Sequence, residues 1–100
     1  MDKATAAGTG QPQAVGSAKS IRFDVWGTAT SFNLQVEASG HSGNYRALPI
    51  WDVSGNTFVT GNAITTPGIF EVDVQGLNNV RTNLKSVTGG NVNATGTVIT

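Results

Sequence analysis

The stretch GIFEVDV, residues 68–74, is the clearest guide to the fold. Three apolar side chains alternate in it with two carboxylates, Glu71 and Asp73. Because successive side chains of a β-strand point to opposite faces, this pattern predicts a strand with one face in the core and one in solvent. The turn residues Thr66-Pro67-Gly68 and Gln75-Gly76 stand on either side of it.

The same alternation recurs outward in both directions along the chain, with Gly- and Asn-containing turns between the apolar stretches. No window shows apolar residues at the spacing of an amphipathic helix. The predicted strands are 21–26, 32–38, 45–51, 58–60, 70–74, 80–85 and 92–99. Seven short strands joined by short turns predict an all-β protein, an antiparallel sandwich or barrel, and the β-sandwich is the architecture we expect.

The predicted core consists of the large apolar side chains on the inward faces of these strands. Its members are Phe23, Val25, Phe32, Leu34, Val36, Tyr45, Leu48, Trp51, Phe70, Val72, Val74, Leu77, Val80, Leu84 and Val92. Pro49 interrupts the third stretch, and because proline cannot donate to a ladder we expect an edge or a bend there.

Residues 1–19 differ from the rest of the chain in composition. They contain Ala, Gly, Gln and Thr, and Val15 is their only sizeable apolar side chain after Met1. Such a segment gains little from burial to offset the entropy of ordering it. We therefore predict a flexible or extended N-terminal arm over 1–19 and a β-sandwich domain over 20–100.

Composition argues against several classes of function. The net charge is zero, with six basic and six acidic residues scattered singly, so no basic patch is available for nucleic acid. The longest apolar runs are far shorter than the roughly 20 residues that span a bilayer. Charged residues make up only 12% of the chain, about half the usual level, which is typical of a surface that neighbours cover.

Candidate catalytic and metal-binding residues are few. The single histidine, His41, lies in a Gly-flanked turn, where nothing would orient its ring. Glu71 and Asp73 share one face of a strand, but the alternation explains them equally well as solvent-facing residues. The chain has no Cys and no calcium-loop spacing. We therefore expect no enzyme, and no catalytic, cofactor-binding or metal-binding residues.

Exposed aromatic residues are the remaining clue to function. Trp26 falls on the face opposite Ile21 and Phe23, and Trp51 follows Pro49. Such rings serve sugar-binding modules as stacking platforms and protein interfaces as anchors. Trp26, Trp51 and, on the arm, Val15 are the candidate interface residues. A shift of one residue in strand register would turn Trp26 inward.

An ordered series of motifs covers about two thirds of the chain. A strand is followed by G-N-Y-x-x-L-P, then by G-I-F-x-V-x-V-x-G-L, then by V-R and a Gly-rich turn into a terminal Thr/Val strand. The segments concerned are 32–40, 43–49, 66–77, 80–81 and 89–92. This series resembles the small β-sandwich structural proteins of tailed bacteriophages. No binding residue is carried over by the resemblance.

The resemblance implies a capsid decoration (cement) protein, a head fibre or a tail component. We expect a non-enzymatic virion protein, made in the host cytoplasm, that binds the assembled major capsid protein or other virion proteins and stabilises the shell. A homo-oligomer such as a trimer is a further expectation, and nucleic acid and membranes are not expected partners. The alternative is a carbohydrate- or ligand-binding module of a fibre or tail, which would hold Trp26, Tyr45 or Trp51 in an open groove.

Overall fold

The computed structural model describes residues 1–100 and has ten β-strands but no α-helix. A single 3-10 turn occupies Thr60–Asn62. The strands are β1 Gly8–Thr9, β2 Gln13–Ala14, β3 Ser20–Gly27, β4 Ser31–Ser39, β5 Tyr45–Ala47, β6 Trp51–Asp52, β7 Thr57–Phe58, β8 Gly68–Asp73, β9 Asn79–Thr88 and β10 Val92–Ile99.

Two antiparallel sheets form the sandwich, which confirms the predicted fold class. The first sheet has the strand order β10-β3-β8-β6-β7. The second has the order β1-β9-β4-β5, and β2 also pairs with β9. The longest antiparallel ladders join β4 to β9 and β3 to both β8 and β10, so these five strands form the frame of the two sheets.

The core lies between the sheets, where alternate residues of both inner faces meet. Residues of β3, β8 and β10 face those of β4 and β9, as period-two alternation requires. The predicted core is confirmed at most positions. Leu48 and Leu77 are half-buried and pack against its edge, whereas the prediction is wrong at Tyr45 and Trp51, which are half-buried outside it. Three isoleucines outside the predicted core are buried instead: Ile21, Ile50 and Ile64.

The predicted strand 45–51 is two strands in two different sheets. β5 pairs with β4 in the second sheet, whereas β6 pairs with β8 and β7 in the first. Pro49 lies in the crossover between them, where no ladder bond is required of its nitrogen. Ile50 is fully buried where the chain crosses the sandwich.

Residues 1–19, predicted as an arm, lie against the protein's own strands. Ala4 bridges to Val92 of β10, and β1 and β2 pair with β9. The Gly10 amide donates to the Thr82 carbonyl at 2.8 Å, and there is no room for a Cβ at Gly10 because the Thr82 hydroxyl occupies it. These ladder bonds offset part of the entropy cost of ordering residues 1–19. That cost is the reason composition alone predicts a flexible arm. The division at residue 19 stays a prediction, and these contacts weigh against a separate unit.

Candidate functional site

Val15, one of the three candidate interface residues, lies in the core of this structure. Its side chain is 6% exposed, and its amide donates to the Asn78 carbonyl at 2.9 Å. Ala18 is also buried. Val15 is therefore not available at the surface of the folded chain. Its apolar character, which suggested an anchor for a partner, serves to anchor the N-terminal segment to its own domain.

Trp26 and Trp51 both lie on the outer face of the first sheet, towards opposite ends of it. Along β3, Trp26 alternates with the buried Phe23 and Val25 and points outward. Trp51 of β6 is the register partner of Glu71 on β8. Glu71 in turn pairs with Arg22 of β3, which is exposed, so Trp51 belongs to the same face as Trp26. The two tryptophans are far apart in sequence, and only the β3-β8-β6 order unites them.

This outer face carries most of the exposed apolar surface of the protein. Trp26 is 47% exposed and Phe58 62% exposed. Register places Ile69 opposite Asp24 and Ile99 opposite Ser20, and both isoleucines therefore point outward as well. We call the set Trp26, Trp51, Phe58, Ile69 and Ile99 the apolar outer face. Val98 is the other large apolar residue that is exposed, and it lines a separate groove of about 410 Å³ between β10 and the N-terminal segment.

A larger groove lies at one end of the apolar outer face. Trp51 and Phe58 are cross-strand partners whose ring centroids are 4.9 Å apart, with the rings nearly perpendicular at 79°. They border a groove of about 580 Å³. Its other lining residues are Lys19, Ser20, Pro49, Glu71, Asp73 and Gln75. The groove thus combines an aromatic wall with carboxylate, amide, hydroxyl and ammonium groups.

One ion pair and one side-chain-to-backbone hydrogen bond hold charged residues of this face. The Arg22 Nε donates to Glu71 Oε1 at 2.8 Å across β3 and β8, and both side chains are partly exposed. The Asp73 Oδ1 accepts the backbone amide of Gln75 at 3.0 Å. His41, by contrast, is exposed in the turn between β4 and β5 and lies outside this arrangement.

The outer face of the second sheet carries a covered polar network instead. Glu37 of β4 accepts from Arg81 Nε at 3.0 Å and from Asn83 Nδ2 at 2.9 Å. The Arg81 guanidinium lies 3.9 Å from the centre of the Tyr45 ring, a cation–π arrangement. Arg81 of β9 does not reach Glu71 or Asp73 of β8, the strand that precedes β9 along the chain, because β8 and β9 belong to different sheets.

Two opposing effects act on the pKa of Glu37. Burial raises the pKa, because it disfavours the charged carboxylate. The hydrogen bonds from Asn83 and Arg81, together with the positive charges of Arg81 and Lys85, lower it by more. The pKa therefore lies below its ordinary value, and Glu37 is held as a carboxylate that is already bound within the chain.

Two structural features bear on metal and membrane binding. No group of three or more His, Cys, Asp or Glu side chains stands close enough to hold a metal ion. None of the helical structure is long and apolar enough to cross a membrane.

Three residues of the apolar outer face were missed by the sequence analysis. Ile69 precedes the inward-facing Phe70 in an alternating strand, and its position on the polar face was the available signal. Ile99 ends β10, whose last five residues are all exposed, so alternation gave no signal there. Phe58 lies in a two-residue strand, too short for alternation to indicate a face. Tyr45, named beside the tryptophans, is half-buried under Arg81 and not in the groove.

Comparison with known sequences finds a matching family model and a relative in Bacillus subtilis. The family model described as XepA matches residues 1–98. The uncharacterized protein YqxG of Bacillus subtilis (strain 168) is 33% identical over 101 residues, which are 98% of this chain and 33% of YqxG. The chain therefore spans about a third of the length of that relative.

Two solved structures share the fold. The SPBc2 prophage-derived protein YomS superposes with a TM-score of 0.87 at 24% identity, over 100% of this chain and 88% of that one. The PBSX exported protein XepA superposes with a TM-score of 0.86 at 22% identity, over 98% of this chain and 35% of that one. The fold described above thus occurs both as nearly a whole chain and as about a third of a longer one.

Proposed function

This chain belongs to the XepA family, and on that premise we propose that it is a non-enzymatic structural protein of a bacteriophage virion. Its specific role in this proposal is capsid decoration: it binds the assembled shell of major capsid protein through the apolar outer face and stabilises that shell. The observation that carries the proposal is the concentration of exposed aromatic and aliphatic side chains on one face of one sheet.

The neighbours in structure support a phage origin. YomS is a prophage-derived protein, and XepA is an exported protein of PBSX. Export of XepA is compatible with a family whose members act outside the host cell, as a protein on a virion surface does. The strand and turn motifs that resemble phage structural proteins support the same origin.

The physical character of the face supports docking on a protein surface. Aromatic residues are enriched at the centres of protein interfaces and supply most of the binding energy there. Trp26 is exposed beside small polar residues such as Thr28, which can form the rim of such a contact. The charged pair Arg22–Glu71 is satisfied within the face, so docking does not require a charged partner.

The test is attachment of the purified protein to phage particles that lack it. We expect binding that survives an increase from about 0.1 M to 1 M salt, where the screening length falls to about 3 Å, because apolar contacts depend weakly on salt. Trp26→Ala should weaken attachment by at least about tenfold, as for an interface anchor. Lys85→Ala, an exposed change on the second sheet, is the matched control and should leave attachment unchanged.

Two results would count against this function. Loss of attachment at high salt would mean that charge drives docking and that the apolar outer face is not the contact. Failure to attach to any particle would remove the capsid role, whatever the behaviour of Trp26→Ala.

A further inference from the structure

The groove at Trp51 and Phe58 has a shape that docking on a flat protein surface does not require. Phe58 lies on the two-residue edge strand β7 and is 62% exposed, while Trp51 packs edge-to-face against it. Perpendicular rings form two walls of a corner, which a flat protein contact does not require. Nothing else in the chain covers the exposed side of Phe58. The groove has a volume of about 580 Å³, which lies within the roughly 300–1,000 Å³ range of ligand sites.

The groove also presents hydrogen-bonding groups beside the aromatic walls. Glu71 uses Oε1 to accept from Arg22, which leaves Oε2 to accept from a ligand. Asp73 likewise uses Oδ1 for the Gln75 amide nitrogen, which leaves Oδ2. The Gln75 side-chain amide, the Ser20 hydroxyl and the Lys19 ammonium line the same groove and can donate.

Charge in and around the groove is balanced. The two carboxylates of Glu71 and Asp73 are matched by two cations, Lys19 in the lining and Arg22 on Glu71. A phosphate or other anion would approach two carboxylates, and a cation would compete with Lys19 and Arg22. A neutral ligand meets neither penalty, provided that it is rich in hydroxyl groups and has an apolar face.

We propose that this groove binds a neutral pyranose sugar. The ring walls of Trp51 and Phe58 would contact the C–H face of the sugar, and Glu71, Asp73 and Gln75 would bind its hydroxyl groups. Pyranose rings with equatorial hydroxyls combine a flat apolar face with a polar rim, which is the pattern that the groove presents. This inference goes beyond docking on a protein shell and does not depend on it: docking is tested at Trp26, and the sugar would occupy the opposite end of the apolar outer face, at Trp51 and Phe58.

The experiment uses the full chain in a Trp26→Phe background. The protein has two tryptophans, so this change leaves Trp51 as the sole source of tryptophan emission. Cellotetraose, which carries only hydroxyl groups, and chitotetraose, which also carries N-acetyl groups, are titrated separately. We expect a saturable change in Trp51 emission for at least one sugar, with a Kd of about 1 mM or lower. Isothermal titration calorimetry on the same samples gives the affinity independently.

Variants separate this site from the rest of the apolar surface. Phe58→Ala removes an exposed side chain, so the protein should stay folded while the sugar affinity falls at least about tenfold. Gln75→Ala should weaken binding to a smaller extent. Val98→Ala, which shortens an exposed apolar residue outside this groove, should leave the affinity unchanged.

Three outcomes would overturn the proposal. One is the absence of a saturable response to either sugar up to about 10 mM, a concentration well above the expected Kd. Another is a sugar affinity that Phe58→Ala leaves unchanged. The third is a response to a trilysine peptide or to inorganic phosphate alone, which would make the groove a charged-ligand site. Because attachment to particles is measured with Trp26→Ala, failure of one proposal is distinguishable from failure of the other.

Discussion

The outer faces of the two sheets differ in how far their side chains are covered within the chain. Each is the solvent side of a sheet whose inner side forms the core. On the first sheet, Trp26 and Phe58 stay exposed, and the Arg22–Glu71 pair lies open to water. On the second, Glu37 is 9% exposed and is bound by Arg81 and Asn83.

This difference indicates which of the two faces can gain free energy by binding another molecule. Glu37, Arg81 and Asn83 of the second sheet have partners within the chain, so a ligand there would have to replace hydrogen bonds that already exist. Apolar groups of the first sheet have no such partners, and covering them with another molecule removes apolar area from water. A face that is incomplete by itself is the better candidate for function.

The largest effect is expected from Val72→Asp, which tests the register that defines the outer face. Val72 is 1% exposed and lies between the outward-facing Glu71 and Asp73. A buried, unpaired carboxylate should cost more than about 4 kcal/mol and abolish cooperative folding. Thermal unfolding followed by circular dichroism measures this. If Val72→Asp folds and Glu71→Ala does not, the two faces have been exchanged.

Glu37→Ala should be the next most damaging change, because it breaks the network of the second sheet. It removes the acceptor of Arg81 and Asn83 in a buried site, and we expect a loss of about 2 kcal/mol in the free energy of unfolding. Urea titration measures it. A loss no greater than that of Glu71→Ala would mean that the two outer faces do not differ in the way described.

Acidic pH should act on the same network. Because the folded-state pKa of Glu37 lies below its ordinary value of 4.5, the folded protein binds fewer protons there than the unfolded chain. The stabilisation is present above about pH 4.5 and is lost as the pH falls through the folded-state pKa. The stability gap between the native protein and Glu37→Gln should therefore narrow from pH 6 towards pH 3, in urea titrations about one pH unit apart. A gap that is constant with pH would contradict this account.

Glu71→Ala should have the smallest effect, less than about 1 kcal/mol. Its partner Arg22 has a side chain that is 52% exposed, and exposed ion pairs contribute little. The residual effect should shrink in 1 M salt, where exposed charges are screened over about 3 Å. Urea titration at two salt concentrations is the measurement, and a salt-independent loss of several kcal/mol would show that the pair is more deeply covered than its exposure indicates.

The candidate site was predictable only in part. Alternation along β3 put Trp26 on the outward face, because the face of a residue within a regular strand is a local property. It did not predict that Phe58 joins Trp51, since two-residue strands carry no pattern and their positions come from pairing, of β6 with β8 and of β7 with β6. Val15 was assigned to an interface for a similar reason. Composition shows that residues 1–19 contain one valine, but it does not show that this valine packs into the core of its own domain.

The sequence by itself determined the all-β class, the antiparallel sandwich and most of the core. Period-two alternation and turn residues act over a few residues, so they can be read without knowing what the rest of the chain does. Only the tertiary structure decided that Arg81 binds Glu37, that residues 1–19 lie on β9 and β10, and that both tryptophans share one face. These outcomes depend on which strands become neighbours, and that is settled by the packing of the whole chain and not by any single stretch of it.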